Sequence, residues 1–257
     1  YEISECLVGS EMCIRDSYAR IAVYVDGKRV VDEMIDCAEK EVTVIDRTEN
    51  AQSVVEIIKL SESPMSAIGV EAFAEGSAEP LPEKQLKIEF IGDSITCGYG
   101  VDDEDENHQF TTATEDVTKA YAYKTAKALD AEYSMFSASG YGIISGYTEG
   151  DEPISEQTIP QFYCSYGFSR GDFAGTAPQD IPWDFSKYVP QIIVINLGTN
   201  DDSYCRDYKD RQAAFSKLYA DFLAVVREKN PQAYILCTVG IMGERIFPAV
   251  EEGIKIY

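Results

Sequence analysis

The stretch that decides the fold is FIGDSITCGYG, residues 90–100, where a run of apolar residues ends abruptly in Gly92, Asp93 and Ser94. An apolar run bounded by small turn-forming residues is typical of a buried β-strand that ends in a tight turn. A serine at this turn is in a suitable place to act as a nucleophile, but its hydroxyl needs a neighbouring base to take its proton. The sequence contains one histidine, His108, so the identity of the base is the first question.

Strands and helices alternate from the predicted strand that leads into this stretch onward. Two helices are predicted from apolar residues at helical spacing, one through Ala122 and Ala126 and one through Phe215 and Phe222. Alternating strands and helices with continuous apolar strands predict a parallel sheet covered on both faces, which binds ligands at the carboxyl ends of its strands. The four predicted strands are LKIEFI (86–91), EYSMFS (132–137), QIIVINL (191–197) and AYILCTV (233–239).

The part of the chain before this region has a different periodicity. Residues 18–73 contain short runs of β-branched residues that alternate with polar ones and are separated by turns such as Asp26-Gly27, which predicts a small antiparallel β domain. Residues 74–85 hold Gly, Ser and two prolines and are predicted to be a linker. The second domain is then predicted to span residues 86–257.

Small and polar residues follow three of the predicted strands. Ser94 follows the first, Gly140 the second and Asn200 the third, so all three are expected at one edge of the sheet. A serine near several convergent N–H donors suits acyl transfer, because preorganised donors stabilise the charge that develops on the carbonyl oxygen. The sequence therefore predicts an acyl-transfer site.

The sequences of these segments resemble those of the SGNH, or GDSL-type, hydrolases. The first three sequence blocks of that family correspond here to GDS, the glycine of SASGYG and GTND. The fuller segments, including FTTATED and WDFSKYVPQIIVINLGTND behind a β domain, resemble carbohydrate esterase family 2, whose members remove acetyl groups from plant polysaccharides such as xylan. The resemblance implies an α/β fold with a flavodoxin-like parallel sheet, preceded by a jelly-roll-like β-sandwich. It implies Ser94 as the nucleophile and the Ser94 N–H, the Gly140 N–H and the Asn200 side chain as the oxyanion hole.

The Asp-x-x-His block in which this family carries its base has no counterpart after GTND, where the family places it. In this family the block follows a further helix and strand, and IFPAVEEGIKIY, residues 246–257, is predicted to begin that helix. The chain would then be a fragment that is inactive for lack of the catalytic histidine. His108 is a poor substitute because it lies in the acidic segment VDDEDENHQF, where a solvated side chain is the expected state. Asp93 and Asp201 are expected to brace their loops, since a carboxylate is a weak base at neutral pH.

The first residues of the chain resemble a sequence that is not native to the protein. Residues 7–17, LVGSEMCIRDS, resemble the translation of a transposase adapter used to prepare sequencing libraries. Such segments are excluded from fold reasoning, so residues 1–17 are predicted to be non-native, and the β domain is expected to be incomplete at its N-terminus.

Composition narrows the range of partners. The net charge of −23 disfavours binding to nucleic acid and to anionic membranes. The seven cysteines lack ligand-like spacing, and SGYGIISG departs from the dinucleotide fingerprint, so neither a metal nor a cofactor is predicted. Trp183, the only tryptophan, either stacks on a sugar or closes the core beneath the long preceding loop.

We therefore predict a serine esterase that acts on acetylated carbohydrate, and we expect the intact parent to be secreted or on the surface of a bacterium. A lipid esterase or thioesterase of the same class is one alternative. A carbohydrate-binding protein with a vestigial esterase site is another. The glycan, the acetylated position and the oligomeric state are not predicted.

Overall fold

The computed structural model of the protein describes residues 2–12, 18–47, 51–73, 78–171 and 175–257. The chain forms two compact units. The first consists of Tyr1–Glu83, Gly98–Thr118 and Phe168–Pro178, and the second of Lys84–Cys97, Lys119–Gly167 and Gln179–Tyr257. The first unit thus takes in two segments that follow the predicted linker in sequence.

The first unit contains two three-stranded antiparallel sheets, with the strand orders β4-β1-β6 and β3-β2-β5. Its core includes Ile21, Ile35 and Val42, which are almost fully buried. Asp26 and Gly27 both have positive φ, at 50° and 80°, as expected for the tight turn of a β-hairpin. The small antiparallel β domain is therefore confirmed. Its strands are β1 (Glu2–Met12), β2 (Ala19–Val25), β3 (Lys28–Ile35), β4 (Glu39–Arg47), β5 (Val55–Lys59) and β6 (Ser66–Phe73).

The adapter-like segment overlaps the first of these strands. Residues 7–12 lie in β1, whereas residues 13–17 lie outside the described residues. The non-native origin of this segment stays a prediction. Residues 74–77 of the predicted linker also lie outside the described residues.

Ion pairs explain why the segment Gly98–Thr118 belongs to the first unit. The Arg29 guanidinium donates to both carboxylate oxygens of Asp116, at 2.9 and 3.2 Å, and to Thr118 Oγ1 at 2.6 Å. Arg20 donates to Asp102 at 2.7 Å. A bidentate arginine pair fixes both position and orientation, and the Asp116 side chain is fully buried in it.

The second unit is built on a four-stranded parallel sheet in the order β10-β9-β7-β8. Each of its strands coincides with a strand predicted from the sequence to within two residues at either end, and the α/β fold is therefore confirmed. The strands are β7 (Lys87–Gly92), β8 (Glu132–Ser137), β9 (Ile192–Asn196) and β10 (Tyr234–Thr238). The helices are α1 (Ser94–Cys97), α2 (Tyr121–Ala128), α3 (Thr199–Cys205), α4 (Lys209–Lys229) and α5 (Phe247–Ile256).

The central strand β7 contributes to the packing on both faces of the sheet. Ile88 and Phe90 belong to one apolar cluster with Ala122 and Ala126 of α2. Their neighbours Glu89 and Ile91 point to the opposite face, because successive strand residues alternate. None of the helices in the described ranges is long and apolar enough to cross a membrane.

A buried carboxyl group lies at the centre of this sheet. Glu89 is 7% exposed, and Tyr163 donates its hydroxyl proton to Glu89 Oε2 at 2.8 Å. Asn230 Nδ2 donates in turn to Tyr163 Oη at 2.9 Å. Tyr163 belongs to the long segment between β8 and β9, and its ring packs 5.5 Å from that of Phe222 in α4. This polar chain therefore anchors the long segment to the sheet.

We expect Glu89→Gln to alter how stability depends on pH. Burial raises the pKa of Glu89 to about 7, and the Tyr163 hydrogen bond opposes this rise only in part. A carboxyl group with a raised pKa contributes stability below its unfolded pKa and loses it as the pH rises through the folded value. Glutamine keeps an acceptor for Tyr163 and cannot ionise. The loss of unfolding free energy between pH 5 and pH 8 should shrink by on the order of 2 kcal/mol.

Urea unfolding at the two pH values measures this difference. Glu152→Gln, at an exposed loop position, is the matched control. Parallel pH profiles for the wild type and Glu89→Gln would show that Glu89 does not titrate in this range.

Candidate active site

Ser94 lies where the central strand ends. β7 ends at Gly92, Asp93 follows, and Ser94 is the first residue of α1. Asp93 shapes this turn, because its Oδ1 accepts the Ile95 N–H at 3.0 Å and its carbonyl accepts those of Thr96 and Cys97 at 3.0 and 3.1 Å. Ser94 is partly exposed, and within the described residues no side chain is hydrogen-bonded to its hydroxyl. The hydroxyl is therefore accessible to a substrate.

Gly92 is required by the tightness of the turn. A Cβ on Gly92 would overlap Thr96 Oγ1 and lie 2.8 Å from Thr96 Cβ. Thr96 Oγ1 is hydrogen-bonded to Tyr121 Oη at 3.1 Å, so it is not free to move away. The glycine before Asp93 therefore lets α1 start directly against the strand end.

The three strands that precede the predicted clusters end at the same level of the sheet. In the strand register, Gly92 of β7 is paired with Ser137 of β8 and with Asn196 of β9. Gly140 follows β8 with φ +83°, and Gly198 follows β9 with φ +128°. Both φ values are ones that glycine adopts readily. They turn the chain sharply at the point where each strand leaves the sheet.

The Asn200 side chain connects the two neighbouring clusters. Asn200 is 6% exposed, and its Nδ2 donates to the Tyr141 carbonyl at 2.8 Å. The same nitrogen lies 3.4 Å from Asp93 Oδ2. Its partners are thus the residue before Ser94 and the residue after Gly140. The sequence indicated Asn200 itself but not the Tyr141 carbonyl. Every residue type has a backbone carbonyl, so a backbone acceptor cannot be recognised from the residue type.

Two fully buried carboxyl groups lie beside these residues. Burial, with a smaller contribution from the nearby charge of Asp201, raises the pKa of Asp93 to about 7 against the lowering effect of the Ile95 N–H. Burial also raises the pKa of Asp201 to about 6, against the lowering effect of backbone N–H groups that it binds. These groups belong to Ile143, Ile144 and Ser145. Asp201 was expected to brace the loop of Asn200, and the structure shows that it binds the segment after Gly140.

His108 lies in the first unit and has acidic partners. Its Nδ1 is 2.9 Å from Asp103 Oδ1, and its Nε2 is 3.7 Å from Asp105 Oδ2. The side chain is 65% exposed. This is the environment expected of a solvated loop histidine.

Trp183 lies in a short two-stranded turn of the long segment between β8 and β9. The backbone N–H of Trp183 donates to the Cys164 carbonyl at 2.9 Å, and the backbone N–H of Tyr166 donates to the Ile181 carbonyl at 2.7 Å. The Trp183 and Tyr166 rings are 5.9 Å apart at an angle of 55°. Tyr166 is 64% exposed and Trp183 partly exposed, so this aromatic pair is accessible from solvent.

Among the cysteines whose side chains the structure describes, which are Cys37, Cys97, Cys164, Cys205 and Cys237, none forms a disulfide bond. Cys97 is buried one turn beyond Ser94, where its Sγ lies 3.2 Å from Ser137 Oγ. A small buried thiol with a serine partner fits a packing role, as expected from the sequence.

Comparison with known proteins gives a consistent result. Residues 90–254 match the GDSL-like lipase/acylhydrolase family. The chain is 32% identical to the cellulase/esterase CelE of Acetivibrio thermocellus over 85% of this chain and 25% of that protein. It is 30% identical to an acetylxylan esterase/glucomannan deacetylase of Cellvibrio japonicus over 90% of this chain and 62% of that protein. The chain thus spans between a quarter and two thirds of these relatives.

The fold matches a solved structure over its full length. A family two carbohydrate esterase from Clostridium thermocellum, solved in complex with cellohexaose, superposes with a TM-score of 0.79 at 28% identity. The match covers 100% of this chain and 74% of that one. The chain therefore belongs to the GDSL-like lipase/acylhydrolase family, and within it the chain resembles the family 2 carbohydrate esterases.

Proposed function

We propose that this protein is part of a serine esterase that removes O-acetyl groups from plant polysaccharides or oligosaccharides. The observation that carries the proposal is the position of the Asn200 amide, which contacts Asp93 beside Ser94 and Tyr141 beside Gly140. This arrangement gathers a nucleophile and oxyanion donors at one edge of the sheet. The names of the relatives, an acetylxylan esterase among them, support acetylated carbohydrate as the substrate.

In the proposed reaction, Ser94 Oγ attacks the acetyl carbonyl carbon while a base takes the hydroxyl proton. The carbonyl oxygen becomes an oxyanion, which accepts hydrogen bonds from the Ser94 N–H, the Gly140 N–H and the Asn200 Nδ2 hydrogen that is not donated to the Tyr141 carbonyl. Collapse of the tetrahedral intermediate breaks the ester bond, and the sugar oxygen leaves with the proton from the base. Water then hydrolyses the acetyl-Ser94 intermediate by the same steps and releases acetate.

The base is proposed to come from residues outside this sequence. Its one histidine is engaged by Asp103 and Asp105 in an exposed loop. Asp93 is adjacent to Ser94, but its oxygens face the Ile95 N–H and the Asn200 amide. Asp93 is better suited to brace the turn around Ser94, through the Ile95 N–H, than to take a proton from Ser94. On this proposal the 257 residues alone have little esterase activity.

Trp183 is proposed to contribute to sugar binding together with Tyr166. Aromatic rings present flat apolar faces to the C–H faces of sugars, and this pair is open to solvent. The net charge of −23 is compatible with a neutral glycan and unfavourable for a polyanion.

Chemical rescue tests the proposal without knowledge of the missing base. We expect the protein to hydrolyse a p-nitrophenyl acetate substrate slowly by itself. Added imidazole should raise the Ser94-dependent rate by at least about tenfold, because a diffusible base can replace part of the contribution of a positioned one. The measurement is the initial rate at increasing imidazole concentrations. The rate measured with the Ser94→Ala variant is subtracted at each concentration, because it reports the hydrolysis by imidazole in solution.

His108→Gln should respond to imidazole like the wild type. A folded protein whose rates equal those of Ser94→Ala at every imidazole concentration would contradict the esterase proposal. If such a protein still bound xylo- or cello-oligosaccharides, the carbohydrate-binding alternative would be favoured. A rate that is high without imidazole and lost in His108→Gln would identify His108 as the base.

The oxyanion role of Asn200 makes a separate prediction. Asn200→Ala should lower the imidazole-supported turnover by about 10²-fold, since the loss of one oxyanion donor typically has this effect. Asn107→Ala, in an exposed loop of the first unit, is the control and should retain the wild-type rate. Turnover that is unchanged in Asn200→Ala would show that its amide does not bind the oxyanion.

A further inference from the structure

The helix that carries Asn200 also holds the segment that follows Gly140. Asp201 Oδ1 accepts three consecutive backbone N–H groups, from Ile143 at 2.8 Å, Ile144 at 2.7 Å and Ser145 at 3.2 Å. Hydrogen bonds to a charged acceptor are about twice as strong as those between neutral groups. One carboxylate oxygen therefore binds the backbone of three consecutive residues.

The carboxylate packs closely against the segment that it binds. Asp201 is fully buried, and a Cβ on Gly142 would lie 2.6 Å from its Oδ2. Within the described residues, Oδ2 has no hydrogen-bond partner. The three N–H groups of the segment therefore help to balance the burial of this charge, which is costly when it is not hydrogen-bonded.

Two further residues of the same region extend the attachment. Ser203 Oγ accepts the Thr148 N–H at 2.9 Å and donates to the Asn200 carbonyl at 2.6 Å. Arg206, at the end of α3, donates to the carbonyls of Glu149 and Gly150 at 2.8 and 2.9 Å. The chain from residue 143 to residue 150 is thus held along the length of α3.

The attachment reaches Gly140 through the backbone of the same segment. The Tyr147 N–H donates to the Gly140 carbonyl at 2.8 Å. Asn200 Nδ2 donates to the Tyr141 carbonyl at 2.8 Å. Gly140 therefore lies between two points that are both fixed to α3.

We propose that Asp201 is a positioning residue that sets the Gly140 N–H at its distance from the Asn200 amide, so that the two act on one oxyanion. The catalytic part of this inference rests on the proposed esterase function. The structural part does not, because it concerns only the hydrogen bonds between Asp201 and residues 143–145. Asp201 itself does not touch the reacting atoms in this arrangement.

The first test compares Asp201→Asn with Asp202→Asn in the full 257-residue protein. Both variants exchange a carboxylate for an amide in adjacent residues of α3, but Asp202 instead pairs with Arg245 at 2.9 Å. Hydrogen exchange of the amides of residues 143–145 should be at least about tenfold faster in Asp201→Asn, since the charge-assisted bonds are weakened. Asp202→Asn should leave this exchange at the wild-type rate.

The second test separates positioning from a general loss of structure. In imidazole-supported hydrolysis of p-nitrophenyl acetate, Asp201→Asn should lower kcat by about tenfold or more with KM within about twofold, because the donors act on the transition state and not on the bound ester. Asp202→Asn should retain the wild-type kcat. Unchanged exchange at residues 143–145, or faster exchange with unchanged kcat, would overturn the proposal.

The two tests also distinguish this inference from the proposed function. A wild-type protein without Ser94-dependent turnover at any imidazole concentration would contradict the esterase function, and with it the catalytic role of Asp201. The exchange rates would then still decide whether Asp201 holds the segment. If Asp201→Asn fails to fold, hydrogen exchange in the wild type provides the test. Amides of residues 143–145 that exchange as fast as those of the exposed residues Glu104 and Glu106 would overturn the attachment.

Discussion

The parallel pairing of β7 with both of its neighbours is the constraint on which the candidate site depends. Gly92, Ser137 and Asn196 are aligned across three strands, so the chain leaves the sheet three times at the same level. Parallel strands require long crossover connections, and the polar residues that begin these connections therefore meet at one edge. A shift of register by one residue would also turn the apolar side chains of β7 to the wrong faces.

Buried polar groups give this edge its defined geometry. Asp93, Asp201 and Asn200 are all buried. Asp93 is hydrogen-bonded to the backbone of its own turn, and Asn200 and Asp201 are hydrogen-bonded to the backbone of the connection that follows β8. Burial of such groups is unfavourable unless they are hydrogen-bonded. The connections are therefore held where the hydrogen bonds are satisfied, and these hydrogen bonds offset part of the cost of burying the carboxyl groups.

In the first unit, ion pairs hold a distant segment of the chain in the way that buried hydrogen bonds do in the second. Arg29 and Arg20 of its strands bind Asp116 and Asp102 of a segment that lies far along the chain. Periodicity predicted the strands of this unit, because alternation of apolar and polar residues is a local property. It did not predict that the segment Gly98–Thr118 belongs with them, because a charged residue in a polar segment has the same local pattern whether it is solvated or paired.

The sequence by itself determined the order of strands and helices, the glycine turns after each strand, and the three residues Ser94, Gly140 and Asn200 that follow them. These features depend on local periodicity and on backbone conformations that few residue types adopt. Only the tertiary structure decided that Asn200 contacts Tyr141, that Asp201 gathers the backbone of residues 143–145, and that Glu89 anchors the long segment through Tyr163. Backbone N–H and carbonyl groups are common to nearly all residue types, so their partners become known only when the chain is folded.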